Sequence, residues 1–388
     1  MNLIEVKTQK LSKKFIGFQI SLYKNEPAWI RPIDKEIEEI FDPNKNNHFE
    51  NGEGIRWVLE KNGEIIGRIA AFININSSNL DNQQPTGGIG FFDCINNQEA
   101  ANMLFDVSKN WLQKKGMEAM DGPINFGDRD KWWGLLTKGF DENPNYQCNY
   151  NYSYYKELFE NYGFLNYFDQ YTFIRNVIDP INYRLQQKAD LIKKNPNYTF
   201  EHISLKNLKK HTKEIISIYN KAWIRHSGVP KMTLKKGEAM INKLRPILDE
   251  KIIWLGYYKK EPIAFYINIP DVNQLIKHNN GKLNVLGKLT FLWHKRFNKK
   301  QKMLGVIFGV IPEHQGKGVD GAIILASLNT VHYISKKYPV TEIKGIGDFN
   351  KKMILVLKQV GGDINKTHTT YRYLFDREKP FERMRSII

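Results

Sequence analysis

Gly305-Val-Ile-Phe-Gly-Val-Ile-Pro-Glu-His-Gln-Gly-Lys-Gly-Val-Asp-Gly-Ala-Ile-Ile-Leu-Ala-Ser-Leu328 decides how this chain is read. It opens within a β-rich apolar run, Leu304 to Ile311. Pro312 lacks the donor a ladder needs, so the strand ends there. A short polar loop follows, Glu313 to Gly318, carrying Gly316 and Gly318. Val319 to Tyr333 then reads as a helix, with Ala322, Leu325, Ala326 and Leu328 apolar at helical spacing. Strand, glycine loop and helix N-terminus together make a place for an anion: backbone N–H groups converge and the helix dipole favours negative charge. Glycine lets the backbone approach a phosphate closely.

Two familiar phosphate loops are excluded. Lys317 is followed by Gly318, not by the Ser or Thr of a P-loop, and the dinucleotide fingerprint of three spaced glycines is absent. The spacing Gln315-x-x-Gly318, after a strand ending Val310-Ile311-Pro312, instead resembles the pyrophosphate loop of the GNAT acyltransferase superfamily. That loop is written as Arg or Gln, two residues, Gly, one residue, then Gly or Ala. Asp320 stands at the last position, a departure that puts negative charge near a pyrophosphate, and Gly321 follows it.

The resemblance implies acetyl-CoA or another acyl-CoA as cofactor. It implies that Val310 and Ile311 pair with the pantetheine amides at a splayed strand edge. Gln315, Gly316, Lys317, Gly318, Val319, Asp320 and Gly321 would hold the pyrophosphate, and Asn350, opening a later helix, would contact the pantetheine arm. The general-acid tyrosine expected seven residues after that asparagine is Leu357 here. Tyr373, or Tyr371, on the last strand is the substitute, against the plainer reading of a strand aromatic. Asp348 is the carboxylate placed to accept an amine proton, against the plainer reading of a helix N-cap.

Working outwards, the second half reads as hairpin, strand, helix, strand, helix with a glycine end, strand. The segments are Lys251 to Tyr258 with Ile263 to Ile269, Leu304 to Ile311, Val319 onwards, Thr341 to Gly347, Lys351 to Val360 and Thr367 to Phe375. The first half runs in the same order. A hairpin turns at Lys61-Asn-Gly-Glu64, the strongest short hairpin signal. Ile89 to Phe92, Gln98 to Gln113, Met117 to Ile124, Tyr154 to Tyr162 and Phe168 to Arg175 follow. The expected fold is therefore α/β: two tandem GNAT-like domains, each a mixed sheet flanked by helices, at residues 1–178 and 179–388.

The halves differ at the decisive place. After Ile89 to Phe92 comes Asp93-Cys-Ile-Asn-Asn-Gln98, with no glycine; Asp93 or Asn96 is expected to cap the helix instead. The first domain thus reads as a scaffold or acceptor-binding partner. Gly67-Arg-Ile-Ala-Ala71, Gly122-Pro-Ile-Asn125, Gly134-Leu-Leu-Thr-Lys-Gly-Phe140 and Tyr154-Tyr155 before Gly163-Phe164 make it similar to a bacterial group of GNAT-like proteins. Trp132-Trp133 is read either as floor of an acceptor pocket or as packing.

Composition bounds the partners. The 388 residues carry 58 basic and 41 acidic side chains, a net charge of +17. Lysine-rich composition alone accounts for this; a polyanion such as tRNA is the alternative reading. The densest cluster, His294-Lys-Arg-Phe-Asn-Lys-Lys-Gln-Lys302, is expected to frame the mouth of a CoA site. Two cysteines exclude a disulfide framework, nine histidines show no metal-ligand spacing, and no apolar run has the length of a membrane span. The expectations are a cytoplasmic location, no metal and no membrane partner. The favoured activity is acetyl transfer from acyl-CoA to a small-molecule or peptide amine. The alternatives are an aminoacyl-tRNA-dependent transferase of the tandem type and a non-catalytic CoA- or nucleic-acid-binding protein.

Overall fold

The computed structural model describes residues 1–78, 84–223, 231–298 and 300–385. The first half contributes strands β1 (Asn2–Glu5), β2 (Gly52–Lys61), β3 (Glu64–Asn74), β4 (Thr86–Cys94), β5 (Ala119–Gly122), β6 (Leu135–Lys138) and β7 (Leu165–Asn176). The second contributes β8 (Tyr198–His202), β9 (Ile253–Tyr258), β10 (Glu261–Pro270), β11 (Lys302–Val310), β12 (Val340–Gly347) and β13 (Asp363–Leu374). The helices of the first half are α1 (Gln9–Leu22), α2 (Asp34–Ile40), α3 (Ile75–Ser78), α4 (Gln98–Lys114) and α5 (Tyr155–Tyr162). Those of the second are α6 (Tyr183–Lys194), α7 (Leu208–Trp223), α8 (Leu234–Leu244), α9 (Val272–Ile276), α10 (Val285–Phe297), α11 (Val319–Asn329) and α12 (Lys351–Gln359).

Local chemistry explains the repeated units. Asn62 and Gly63 both have positive φ, 54° and 84°, so β2 and β3 meet through the tight turn that matches strand twist. The β9–β10 turn uses the same region, with Lys259 at 50° and Lys260 at 71°. Helix α4 buries Ala101, Leu104, Phe105 and Leu112 on one face. Helix α11 is buried nearly all round, from Val319 to Leu328, as a helix held between a sheet and another helix must be.

The halves do not close on themselves. The strand order is β1-β2-β3-β4-β5-β13-β7-β12-β11-β10-β9-β8, with β6 also on β13. The last strand of each half has crossed to the other. β13 pairs antiparallel with β5, Tyr371 opposite Gly122, while β7 pairs antiparallel with β12, Thr341 opposite Arg175. The cores follow the strands. Phe173 and Val177 of β7 are buried with the second-half cluster of Leu255, Phe265, Val310 and Ile323. Tyr371 and Tyr373 of β13 are buried with Phe105, Tyr155 and Phe159 of the first. A cut between residues 178 and 179 therefore separates β7 from β12 and β13 from β5.

In each half two parallel strands start together and then part. β11 and β12 pair from Lys302–Val340 to Gly305–Ile343 and no further. On its other side β11 stays paired to β10 up to Ala264–Val310, but the register jumps between Ile267 and Asn268 and leaves Val306 as the extra residue of a bulge. Beyond Gly305 the β12-facing edge of β11 is thus outside any ladder.

Candidate functional site

The parting of β11 and β12 opens a cavity of about 310 Å³. Phe308, Gly309 and Val310 of β11, His314, Gln315, Gly316 and Asp320 of the loop and first helical turn, and Asn350, Lys352, Met353 and Val356 of α12 line it. Five residues singled out in the sequence thus meet around one space: Val310, Gln315, Gly316, Asp320 and Asn350.

The loop turns into α11 through two glycines. Gly316 has φ +72° and nothing within 4 Å of where a Cβ would stand. Gly318 has φ +93° and serves as the N-cap of α11, with no side chain capping the helix. The first intrahelical bond is donated by Ala322 to the Gly318 carbonyl at 3.0 Å. The N–H groups of Val319, Asp320 and Gly321 precede it and point out of the N-terminus, the arrangement that receives an anion. At Gly318 and Gly321 the absence of a side chain serves packing: a Cβ on Gly318 would stand 2.9 Å from Lys188 Cβ, and one on Gly321 2.7 Å from Leu185 Cδ1, both on α6. The open approach expected of a phosphate-binding glycine is found at Gly316.

The first half offers the contrast. After β4, the side chain of Asn97 accepts from the Ala100 N–H at 2.8 Å and caps α4 itself. The cap is Asn97, one residue beyond Asn96. Asp93 is buried elsewhere, accepting from Arg68 Nε at 2.7 Å and from the Tyr23 hydroxyl at 2.8 Å.

Other side chains depart from the roles expected of them. Gln315 spends its amide on the chain, Nε2 donating to the Val310 carbonyl at 2.8 Å and tying loop to strand end. Ile311 is buried in the second-half core, its N–H bonded to the Ile263 carbonyl at 2.9 Å. Lys317 is exposed beside the loop, and Val319 is fully buried. Asn350 accepts from the Met353 N–H at 3.1 Å, so it is the N-cap of α12 as well as part of the cavity wall. Leu357 is buried in the core.

Neither proposed catalytic side chain stands free in the cavity. Asp348 accepts from Arg383 Nη2 at 2.7 Å, and the same guanidinium lies 3.6 Å from Asp169. The Asp348 backbone N–H is bonded to the Asp169 carbonyl at 2.8 Å. The carboxylate therefore fastens the C-terminal tail to the end of β12, beside Asp169 of β7, and a base there has first to leave its cation. Tyr373 is carried by β13 into the first-half core. Its ring packs on Tyr162 and Phe164, with the Arg377 guanidinium 4.4 Å from its centroid.

Three groups at the cavity or beside its loop were not singled out by the sequence. Lys352, in the first turn of α12, and Lys188, against Gly318, are exposed cations beside the uncapped N-terminus. His314 is fixed by Nδ1 at 2.9 Å from the Tyr198 hydroxyl. Burial, and then the nearby Lys317, push its pKa below the ordinary imidazole value, so it is neutral at physiological pH. Only spacing from the loop could have suggested His314; Lys188 arrives from a distant helix.

A second cavity, of about 240 Å³, lies beside the paired stretch of β4 and β5 in the first half, at Thr86 to Gly88 and Asp121. Trp133, Tyr167, Arg129, Asp121 and Arg372 are among its walls. The Arg372 guanidinium stacks 3.6 Å from the Tyr167 ring centroid and donates to Asp121 Oδ1 at 2.6 Å. Trp132 is buried in the core with Phe15, Phe72 and Phe126, and Trp133 packs against the same cluster while lining this cavity.

Comparison with known proteins places this architecture. No family model matches the chain. A tandem GNAT protein from the clavulanic acid biosynthesis pathway superposes with a TM-score of 0.54 at 8% identity, covering 98% of this chain and 99% of its own. The fold is that of a tandem GNAT protein. In sequence, the chain is 25% identical over 362 residues to protein YghO of Escherichia coli K12, 92% of each chain. It is 23% identical over 377 residues to the bacterial ceramide synthase of Caulobacter vibrioides, 96% of this chain and 97% of that one.

Proposed function

We propose that the protein transfers an acyl group from acyl-CoA to an amine, and that the acceptor is a long-chain amine. The observation that carries the first part is the uncapped N-terminus of α11 at the mouth of the cavity. Its free N–H groups fit a pyrophosphate, and Lys188, Lys317 and Lys352 add charge around it. The unladdered edge of β11 beyond Gly305 fits the amide groups of a pantetheine arm, which would add as a short strand. Two features weigh against tight binding: Asp320 brings a carboxylate to the same turn, and the Gln315 amide is already engaged.

The second part rests on likeness over nearly the whole chain to a bacterial ceramide synthase. A ceramide is the amide of a long-chain amino alcohol. An amine nitrogen attacks the thioester carbon, the C–N bond forms as the C–S bond breaks, and CoA leaves as its thiol, carrying in net terms a proton the amine loses. The chain's own part is to hold the CoA end, present the thioester where β11 and β12 part, and donate backbone N–H groups to the developing oxyanion.

The test is thiol release from acetyl-CoA and from a long-chain acyl-CoA, each with sphinganine and with a short primary amine. Amine-dependent thiol release that is greatest with sphinganine is expected. Release with the short amine alone would reject the acceptor while keeping the reaction. No release, together with no binding of CoA by calorimetry, would reject both.

A further inference from the structure

Helix α10 has an apolar face that nothing among the described residues covers. Its buried side is narrow: Gly287 and Phe291 are its buried residues, Phe291 packing with Val272, Leu275 and Ile276 of α9 and with Ile33. On the other side Val285, Leu286, Leu289, Leu292, Trp293 and Phe297 are exposed, from 55% at Leu292 to 74% at Val285. Their spacing puts all six on one stripe of the helix, opposite Phe291. Six large apolar side chains on one helix is a patch, not the scatter that any surface carries.

The segment that carries this stripe has charge of one sign, with Asp34 and Asp249 of other elements near Lys282 and Lys295. From Val272 to Pro312 the sequence contains no Asp or Glu. Lys277, Lys282, Lys288, Arg296 and Lys300 are exposed within it. Lys302 is turned inward to Glu342 at 2.6 Å and Lys295 donates to the Pro246 carbonyl at 2.5 Å, so neither belongs to the exposed set. A second copy of this chain would have to lay the same cationic face against itself, since a two-fold contact is self-complementary. Like charge opposes that. A nucleic acid would satisfy the cations but leave six apolar side chains in water. Helix α10 has 13 residues, too short to cross a bilayer. A short helix with an aliphatic and aromatic face and flanking cations has the composition of one that lies in a membrane interface.

We infer that α10 docks the protein on an anionic lipid surface, its apolar stripe in the headgroup–acyl boundary and its cations on lipid phosphates. This differs from both sequence expectations for the region. The basic cluster from His294 to Lys302 does not frame the CoA cavity: α10 joins β11 at Lys302, and the cavity loop leaves β11 at Val310, on the order of 26 Å further along an extended strand. Nor does the absence of a spanning segment exclude a lipid surface. β11 and β12 begin to part at Gly305, three residues from that junction. On the acceptor proposed above, docking would bring a bilayer-resident amine near the parting strands; the docking itself does not depend on that reading.

The experiment is vesicle flotation of the full chain, with phosphatidylcholine alone and with about a third phosphatidylglycerol. Leu289→Ser/Trp293→Ser is the variant; both positions are exposed, and an unchanged melting temperature checks its fold. The wild type is expected to partition at least about tenfold better onto the anionic vesicles. The variant is expected to lose about tenfold or more of that binding while binding CoA as the wild type does. Failure of the wild type to float, equal flotation of the variant, a concentration-dependent dimer lost in the variant, or salt-resistant RNA binding lost in the variant would each overturn the inference.

Discussion

Two glycines two residues apart separate the space for a ligand from the space for a neighbouring helix. Gly316 and Gly318 both adopt left-handed backbone, φ +72° and +93°. Any side chain at either position carries a torsional cost of about 1–3 kcal/mol. Only at Gly318 does contact add to it. A Cβ there would stand 2.9 Å from Lys188 Cβ and 3.3 Å from the Lys188 backbone carbon and oxygen. Carbon atoms prefer about 3.5–4.0 Å, so α6 must give by roughly half an ångström to an ångström, or α11 must tilt. Overpacking of this kind costs about 1–3 kcal/mol more. Gly318→Ala is therefore expected to destabilise the fold by about 2–6 kcal/mol in all. Gly316→Trp, whose Cβ meets nothing within 4 Å, is expected to lose only the torsional part. The ligand ranks them the other way. The indole at Gly316 occupies cavity space, so CoA affinity should fall about a hundredfold, worth about 2.7 kcal/mol. Gly318→Ala should lose less, as a disturbed N-terminus. Calorimetric melting gives the stabilities and titration with CoA the affinities. A Gly316→Trp variant that binds CoA like the wild type would refute the placement of the site.

Two further outcomes follow from the architecture. Burial raises the Asp271 carboxyl to about 6, Lys302 offsetting part of the effect. The folded pKa then lies above the unfolded one, so this group's contribution is present below about pH 4 and lost as pH rises through about 6; at neutral pH the ionised form costs up to about 3 kcal/mol. Asp271→Asn, which can keep the α9 cap that accepts from Asn273, should raise the melting temperature at about pH 8 and leave it unchanged at about pH 4; a fall at pH 8 would mean that Lys302 outweighs burial. Residues 179–388 expressed alone should neither melt cooperatively nor bind CoA, whereas co-expression with 1–178 restores both. The fragment lacks Phe173 and Val177 in its core, and losing a buried Phe alone costs about 3–5 kcal/mol. A stable, CoA-binding fragment would show that β13 can take the place of β7 beside β12.

Much of this was legible because it is local. Asn62-Gly63 set the first hairpin, and the run from Leu304 to Leu328 set strand, loop and helix almost as they stand. The repeated order of elements fixed the tandem arrangement. What could not be read was which strand lies beside which. Phe168 to Arg175 and Thr367 to Phe375 have similar apolar and polar patterns, and either would satisfy the edge of β5 or β12. Partner choice is made by contacts across the whole chain. The placing of Tyr373 beside the CoA cavity fails for this reason: it assumed that β13 stays with its own half. Asp348 was placed by its distance from Asn350, and Arg383, which neutralises it, lies 35 residues on. Helix α10 was passed over because its apolar spacing is that of any helix with a buried face. Only the structure shows that most of those residues face outwards.

The difference between the two halves comes down to one turn of chain. In the first, Asn97 caps α4, a contribution of about 1 kcal/mol that closes the helix end to any visitor. In the second, Gly318 caps nothing, and α11 begins with its N–H groups unspent. Stability alone favours the first arrangement, so the second is stability forgone at a place where a cavity opens. The first half is not thereby an appendage. It supplies β7 to the sheet edge next to β12, and it takes in β13 from the half that holds the cradle. β12 leaves β11 after the pair at Ile343, and its register on β7 slips directly afterwards, between Ile343 and Ile346. A strand from the half without a cradle is therefore the partner that β12 keeps where it leaves β11.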